Sequence, residues 1–370
     1  MSVQSEYAKA GVNYQDIEPF KRAMMEMGKK TLLFPRNRKV KVYVGKHGAV
    51  FFYFGDRTHR WSSTQEGLGN KNWISEWMYQ FAGTGRTHYE GIGIDTALMA
   101  VNDLIAQGAM PVLYTDEVAA GDSEWFKDEK RAKDLAISFY KVCALVGMAL
   151  PAGESPSLRY LIKAEPPVKS APSLSGCAIG IIAPWSRTIE NRARAGDIII
   201  GVASSGLHAN GISLVIKRAL TLPDAFLTKL ANGNTLGDEA LIPTMSYVAL
   251  VEELLEQEVE IHALVPGTGS GVSKVAFDKR PFTYSIRSWL EVPLIFLFML
   301  ELGVSLRDCL TTFNWGVGYY IFVPCREVDK AISIGGSLGY TLAEIGIVKE
   351  GERKVIFHPA GGMVLSPPGE

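Results

Sequence analysis

The chain has 370 residues, with 38 Lys and Arg set against 39 Asp and Glu, for a net charge of −1. That balance excludes a global electrostatic pull toward nucleic acid or an acidic membrane, so any phosphate recognition has to be local. The length allows about two to three domains with substantial cores. Cys143, Cys177, Cys309 and Cys325 form no C-x-x-C pair and have no His-rich surroundings, so they read as reduced thiols rather than a zinc site or a disulfide framework. The N-terminal residues lack a basic stretch followed by an apolar one, which predicts a cytosolic protein. The most apolar run, Val292 to Val304, is too short to cross a bilayer and contains Glu301, so it is expected to be a buried helix.

In chain order, Ile17, Phe20, Met24 and Met27 have helical spacing over residues 15–30, and Pro35 closes that element. Val40, Val42 and Val44 alternate with basic residues, a turn follows at Gly45-Lys46-His47-Gly48, and residues 49–54 form a second apolar run, which together predict a hairpin with a solvated lysine face. Glu66-Gly67-Leu68-Gly69-Asn70-Lys71 reads as a turn-sized segment. Its glycines let the backbone approach a polyphosphate, Lys71 offsets phosphate charge and Glu66 can hold Mg²⁺; an ordinary exposed loop has the same composition.

Ile94, Ala97, Leu98, Val101, Ile105 and Gly108 share one helical face. Asp95 and Asn102, seven residues apart, differ by about 20° of rotation, and Asp103 lies about 80° from Asp95. A strand is expected over 109–115, ending at Asp116-Glu117, then a helix over 132–146 stopped by Gly147. The Pro- and Ser-rich interval 156–173 divides the chain into an N-terminal domain, 1–170, and a C-terminal domain, 171–370. Strands over 176–182, 198–203, 316–323 and 342–348 alternate with helices over 212–220, 247–257 and 293–302, an α/β (α+β) pattern.

Five polar constellations punctuate this pattern. Asp95, Asn102, Asp103 and Glu154 offer hard oxygens for Mg²⁺ bridging ATP phosphates, although an Asp near a helix start also caps it. Asp116 is a further candidate for the ATP site. Ser204-Ser205-Gly206-Leu207-His208-Ala209-Asn210-Gly211 joins a strand to a helix and can aim backbone N–H groups, notably around Gly206 and Asn210, at a phosphate. His208 sits there as a candidate acid–base group, and a plain turn is the competing reading. Gly267-Thr268-Gly269-Ser270-Gly271 can cradle an anion at Gly269 or serve as a linker. Thr311 to Gly318 brings hydroxyls and an amide to a strand start.

These motifs, in this order, resemble those of the phosphoribosylformylglycinamidine cyclo-ligase (aminoimidazole ribonucleotide synthetase) family. Tyr7-Ala8-Lys9-Ala10-Gly11-Val12-Asn13 is similar to its opening signature, Glu66 to Lys71 to its Asp-Gly-Val-Gly-Thr-Lys loop, and Gly93 to Ala109 to its Gly-Ile-Asp…Val-Asn-Asp-Leu…Gln-Gly-Ala helix. Ala152 to Ser155 resembles Gly-Gly-Glu-Thr, Ser204 to Gly211 resembles Ser-Ser-Gly-x-His-Ser-Asn-Gly, and Thr312 to Gly318 resembles Thr-Phe-Asn-x-Gly-Val-Gly.

The resemblance implies two domains, an N-terminal mixed sheet with helices and a C-terminal α/β domain. It further implies a homodimer through the N-terminal sheet, ATP and Mg²⁺ as cofactors, and a ribonucleotide substrate whose formyl oxygen is phosphorylated before ring closure. Carried over by motif, Lys71 contacts phosphate, Asp95, Asp103 and Glu154 are metal or ATP-site acids, and His208 lies near the reacting amide. The chain departs from the pattern at Glu66 for Asp, at Ala152 and Ser155, at Val265-Pro266-Gly267 where the family has a histidine, and before residue 40, where a Gly-rich segment is missing. A divergent paralogue with another ATP-dependent phosphoryl transfer, or a non-catalytic nucleotide-binding protein, is the alternative. Within the superfamily, the first cysteine is Cys143 where selenophosphate synthetases use one near the N-terminus. The C-terminal residues lack the reactive cysteine of hydrogenase-maturation members, and thiamine-phosphate kinases lack the His208 and Asn314 motifs.

Overall fold

A computed structural model of the chain describes residues 14–45, 48–55 and 57–368. The opening signature, Tyr7 to Asn13, and the hairpin-turn residues Lys46 and His47 lie outside the described residues. The chain folds into two units. One runs to Val101 and resumes over Pro111–Ile181; the other comprises Asn102–Met110 and everything from Ile182 onward.

The N-terminal unit begins with α1 (Tyr14–Thr31), whose Ile17, Phe20 and Met24 are buried as their spacing requires. β1 (Val40–Gly45) and β2 (Gly48–Tyr53) form the expected antiparallel hairpin, with Val42 opposite Phe51. Its outer side is less polar than a lysine face: Tyr43, Phe52 and Phe54 are exposed, and the Tyr43 and Phe52 rings lie 6.1 Å apart. β3 (Arg60–Gly67) is followed by α2 (Lys71–Phe81) and α3 (Ile92–Ile105), the last turn of α3 counting with the other unit. The segment from Glu66 to Lys71 is therefore not one loop: Glu66 and Gly67 end β3, and Lys71 opens α2.

β4 (Met110–Ala119), α4 (Glu129–Val146) and β5 (Ala149–Glu154) make a parallel crossover, and β6 (Ser173–Ile182) completes a four-stranded sheet in the order β3-β6-β4-β5. β4 does not stop at Asp116-Glu117 as its polarity suggested, because both residues pair with Gly153 and Glu154 of β5 and the strand continues through buried Val118. Asp128 caps α4 by accepting the Arg131 N–H at 3.0 Å, and Gly147 ends the helix at φ 70°, the left-handed backbone that favours glycine there. Between α2 and α4, buried Glu76 accepts from Arg131, Trp125 and Tyr89, so the helices are tied by a polar network.

The C-terminal unit contains β7 (Ile198–Ala203), α5 (Ile212–Ala219), α6 (Leu236–Ala240), α7 (Val248–Glu256), β8 (Ala263–Pro266), β9 (Phe282–Ile286), α8 (Leu294–Glu301), α9 (Leu306–Thr312), β10 (Val317–Val323), α10 (Val328–Ser337), β11 (Leu342–Glu350), β12 (Lys354–Phe357) and β13 (Met363–Leu365). Seven strands make one mixed sheet in the order β13-β12-β9-β11-β7-β10-β8, with only β12 and β9 parallel. β10 is buried along its whole length, as a continuous apolar run demands. α8 is covered on one side only: Ile295, Phe296 and Met299 are buried, while Leu294 and Leu297 are more than a third exposed. No described helix is long and apolar enough to cross a membrane. All four cysteines are free thiols, Cys143 and Cys309 buried and Cys325 exposed.

Candidate active site

In the N-terminal unit the expected phosphate lysine and metal-ligating aspartate meet each other. Lys71 Nζ lies 2.8 Å from Asp95 Oδ1, and both side chains are fully enclosed. Burial pushes the Lys71 ammonium below its ordinary value, and the Asp95 carboxylate partly restores it. The placement follows from the sequence. Lys71 starts α2 after Gly69, at φ 72°, turns the chain, and Asp95 sits in the first turn of α3 among Ala97, Leu98 and Val101, all buried.

A second carboxyl cluster lies on the paired ends of β4 and β5. Asp116 is 7% exposed, opposite Gly153, and a Cβ on that glycine would fall 2.2 Å from Asp116 Oδ1. The missing side chain makes room for the carboxyl. Burial, with the charge of Glu154 adding to it, pushes the Asp116 carboxyl up to about 7 against the opposing pull of a backbone hydrogen bond. Glu154 is exposed and accepts the Ser155 N–H at 2.8 Å. Both acids line a cavity of about 200 Å³ whose walls include Met24, Val44 and Leu150, with Lys21 and Lys29 also lining it. Glu66 is half-buried at the end of β3. Among the described residues no three His, Cys, Asp or Glu side chains are grouped closely enough to hold a metal ion, so Glu66, Asp95 and Glu154 do not form a preassembled cage.

The C-terminal unit gathers three motifs. Ser204 to Gly211 leaves β7, residues 267–271 leave β8 and residues 312–318 lead into the neighbouring β10. Asn314 ties the first to the third: Ser204 Oγ donates to its Oδ1 at 3.1 Å, its Nδ2 donates to Gly206 O at 2.8 Å, and Gly316 N–H donates to the same Oδ1 at 2.9 Å. Gly211 opens α5 at φ 75°, and the Phe313 ring fills the place where its Cβ would be, at 2.4 Å. The 267–271 segment is no loose linker, since Gly267 N–H donates to Gly318 O at 2.9 Å.

His208 is buried with φ 57°, and its Nε2 accepts the Ser205 N–H at 3.3 Å. A Cβ on Gly318 would lie 2.6 Å from His208 Cε1, so the last glycine of the Asn314 motif exists to admit the imidazole. Asp103 accepts from Thr268 Oγ1 at 3.4 Å. Asn102 is engaged with the backbone: its Nδ2 donates to Met245 O at 3.0 Å and its Oδ1 accepts the Tyr247 N–H at 3.2 Å. Asn210 Nδ2 and Ser273 Oγ are buried without a hydrogen-bond partner among the described residues, and Gly269 stands in open space at φ 64°. Sequence reasoning marked Ser273 as following the 267–271 loop but gave Tyr247 no role; its one signal was its position at a helix start.

Two family models match the chain: the AIR synthase related protein N-terminal domain over residues 64–182 and its C-terminal domain over 194–359. The fold and its ordered motifs thus define a two-domain protein of the AIR synthase related class. Among named relatives, the phosphoribosylformylglycinamidine cyclo-ligase of Pyrococcus horikoshii is 31% identical over 94% of this chain and 96% of its own length. That of Carboxydothermus hydrogenoformans is 33% identical over 80% and 82%. The chain belongs to the phosphoribosylformylglycinamidine cyclo-ligase family. Solved structures that share the fold include thiamine-monophosphate kinase from Stenotrophomonas maltophilia, with a TM-score of 0.61 at 19% identity over 90% of this chain and 95% of that one. The hydrogenase maturation protein HypE in complex with ATP has a TM-score of 0.63 at 17% identity, covering 100% and 98%.

Proposed function

We propose that this chain is an ATP-dependent cyclo-ligase that converts formylglycinamidine ribonucleotide to aminoimidazole ribonucleotide, with ADP and phosphate, in purine synthesis. ATP phosphorylates the formyl oxygen, the amidine nitrogen attacks that carbon, and loss of phosphate closes the imidazole ring. The observation that carries this reading is the joining of the His208 and Asn314 motifs through Ser204 and Gly206. They build a backbone-lined site around one imidazole. Catalysis there is positioning and electrostatic stabilisation, with His208 stabilising charge or moving a proton at the reacting amide. Gly206, Asn210 and Gly269 offer N–H groups to phosphate, and the buried Nδ2 of Asn210, without a partner among the described residues, is a donor a bound ligand would satisfy.

Mg²⁺ fits as a cation that arrives with the nucleotide, because it is commonly held by one or two carboxylates plus phosphates rather than by an all-protein cage. Glu154 and Asp116 would hold it, since a cation relieves the mutual repulsion that helps keep Asp116 protonated. Glu66 and Asp103 are further candidate oxygens, whereas Asp95 and Lys71 act by shaping the α2–α3 corner and reach ATP only if their pair opens. We further propose a homodimer through the N-terminal hairpin and β3, whose Tyr43, Phe52, Phe54 and Trp61 are exposed. The free thiols and near-neutral charge fit a cytosolic protein acting on a small ribonucleotide, with neither nucleic acid nor membrane as partner.

The test is ATP consumption with and without formylglycinamidine ribonucleotide, alongside melting with Mg·ATP. Substrate-dependent ADP release and a raised Tm are expected. A raised Tm without turnover would leave a nucleotide-binding protein, and no shift at millimolar Mg·ATP would remove the nucleotide site.

A further inference from the structure

Tyr247 belongs to none of the motifs marked for chemistry, yet four parts of the C-terminal unit close on it. Its N–H donates to Asn102 Oδ1 at 3.2 Å, and its hydroxyl donates to Ala203 O at 2.9 Å, the last carbonyl of β7 before the His208 loop. Its ring centroid lies 4.9 Å from that of Tyr319 and 6.3 Å from the His208 imidazole. A Cβ on Gly318 would meet Tyr247 Oη at 2.0 Å and His208 Cε1 at 2.6 Å, so the phenol and the imidazole rest on the same bare stretch of β10. Burial, with Tyr340 and Tyr320 adding to it, holds the Tyr247 phenol well above its ordinary value and keeps it a neutral donor.

We propose that Tyr247 is a positioning residue for His208. Its hydroxyl fixes the point where the loop leaves β7, and its ring confines the imidazole to the orientation in which Nε2 accepts the Ser205 N–H. An accepting Nε2 places the proton of the neutral ring on Nδ1, so Tyr247 selects the tautomer that the substrate meets. This rests on the reading of His208 as the group near the reacting amide.

Tyr247→Phe tests it, because the ring and its packing are kept and one O–H is removed. Thr283→Val is the control: it also deletes a hydroxyl hydrogen bond to a backbone carbonyl, that of Glu352 at 2.8 Å, but from β9, two strands away from β7 in the sheet. In the full-length chain with Mg·ATP and formylglycinamidine ribonucleotide, Tyr247→Phe should lower kcat by roughly 10- to 100-fold, the cost of a misplaced catalytic group. KM for ATP should stay within about twofold, since the phenol makes no ground-state contact with nucleotide in this reading. The ¹⁵N signals of His208 should move toward a mixture of tautomers, and Thr283→Val should change none of these. Unchanged kcat and unchanged His208 signals in Tyr247→Phe, or equal effects in both variants, would overturn the proposal. If His208→Ala lowers kcat while Tyr247→Phe does not, only the positioning role fails; if His208→Ala leaves kcat intact, the reading beneath it falls too.

Discussion

The two units handle polar chemistry in opposite ways. The N-terminal unit sets opposite charges against each other, Lys71 on Asp95 fully enclosed and Arg131 on Glu76 nearly so. The C-terminal unit uses almost no charge around His208 and builds instead with glycines, amides and backbone carbonyls. Sealed pairs make rigid corners whose loss is felt throughout the fold, whereas a backbone-built site tolerates the loss of one side chain and reports it in rate.

Breaking a sealed pair should therefore have the largest effect. Lys71→Met leaves the enclosed Asp95 carboxyl without its lysine, and should cost about 3–5 kcal/mol of stability by urea unfolding. Pairing it with Asp95→Leu should recover much of that loss; if the double variant is no more stable than the single one, the charges are not each other's main partners. His208→Ala sharpens the other side: turnover of the folded fraction should fall about 10²–10⁴-fold with ATP affinity nearly unchanged. An unchanged rate with a lower Tm would mean that His208 only braces its turn.

Asp116 gives a pH test. Its folded carboxyl titrates near 7 against an ordinary value of 3.8, so the folded protein binds more protons than the unfolded chain between those values. Stability from this group is full at low pH and is lost as pH rises through 7, by about 4 kcal/mol at most. Asp116→Asn should flatten that slope in a Tm–pH series, and Mg·ATP should flatten it in the unmodified protein if a cation sits there. The smallest effect is expected at Gly211, where φ 75° and the Phe313 ring at 2.4 Å oppose a side chain. Gly211→Ala should cost about 1–3 kcal/mol, and a neutral result by denaturant melt would show that the α5 entry is soft.

Elements with an unbroken apolar run or a clear stop were legible in the sequence. β7, α4 and β10 fall close to their expected spans because continuous apolar runs and a terminal glycine are local signals. Partnerships were less legible. Lys71 and Asp95 each read correctly as a charge, but the pattern did not show that the chain brings two residues 24 positions apart together in a dry corner. The need for Gly318 was likewise invisible, since the atoms excluding a side chain there come from residues 208 and 247. Asp116 misled because a carboxylate resembles a strand end until its parallel neighbour is known.

The helix from Ile92 to Ile105 carries a further consequence. Its periodic face runs without interruption across Val101 and Asn102, where the chain passes from one unit to the other. The segment Asn102–Met110 receives the Tyr247 N–H and the Tyr319 hydroxyl, and its Ala106 carbonyl accepts from Asn191. A fragment beginning at Ile182 would therefore be expressed without a wall of its own core. During synthesis the ribosome releases that wall some 70 residues before the rest of its unit, which resumes at Ile182. The C-terminal unit is thus unsuited to be excised, shuffled or transplanted as a cassette, and a working minimal fragment must carry residues 102–110 along with it.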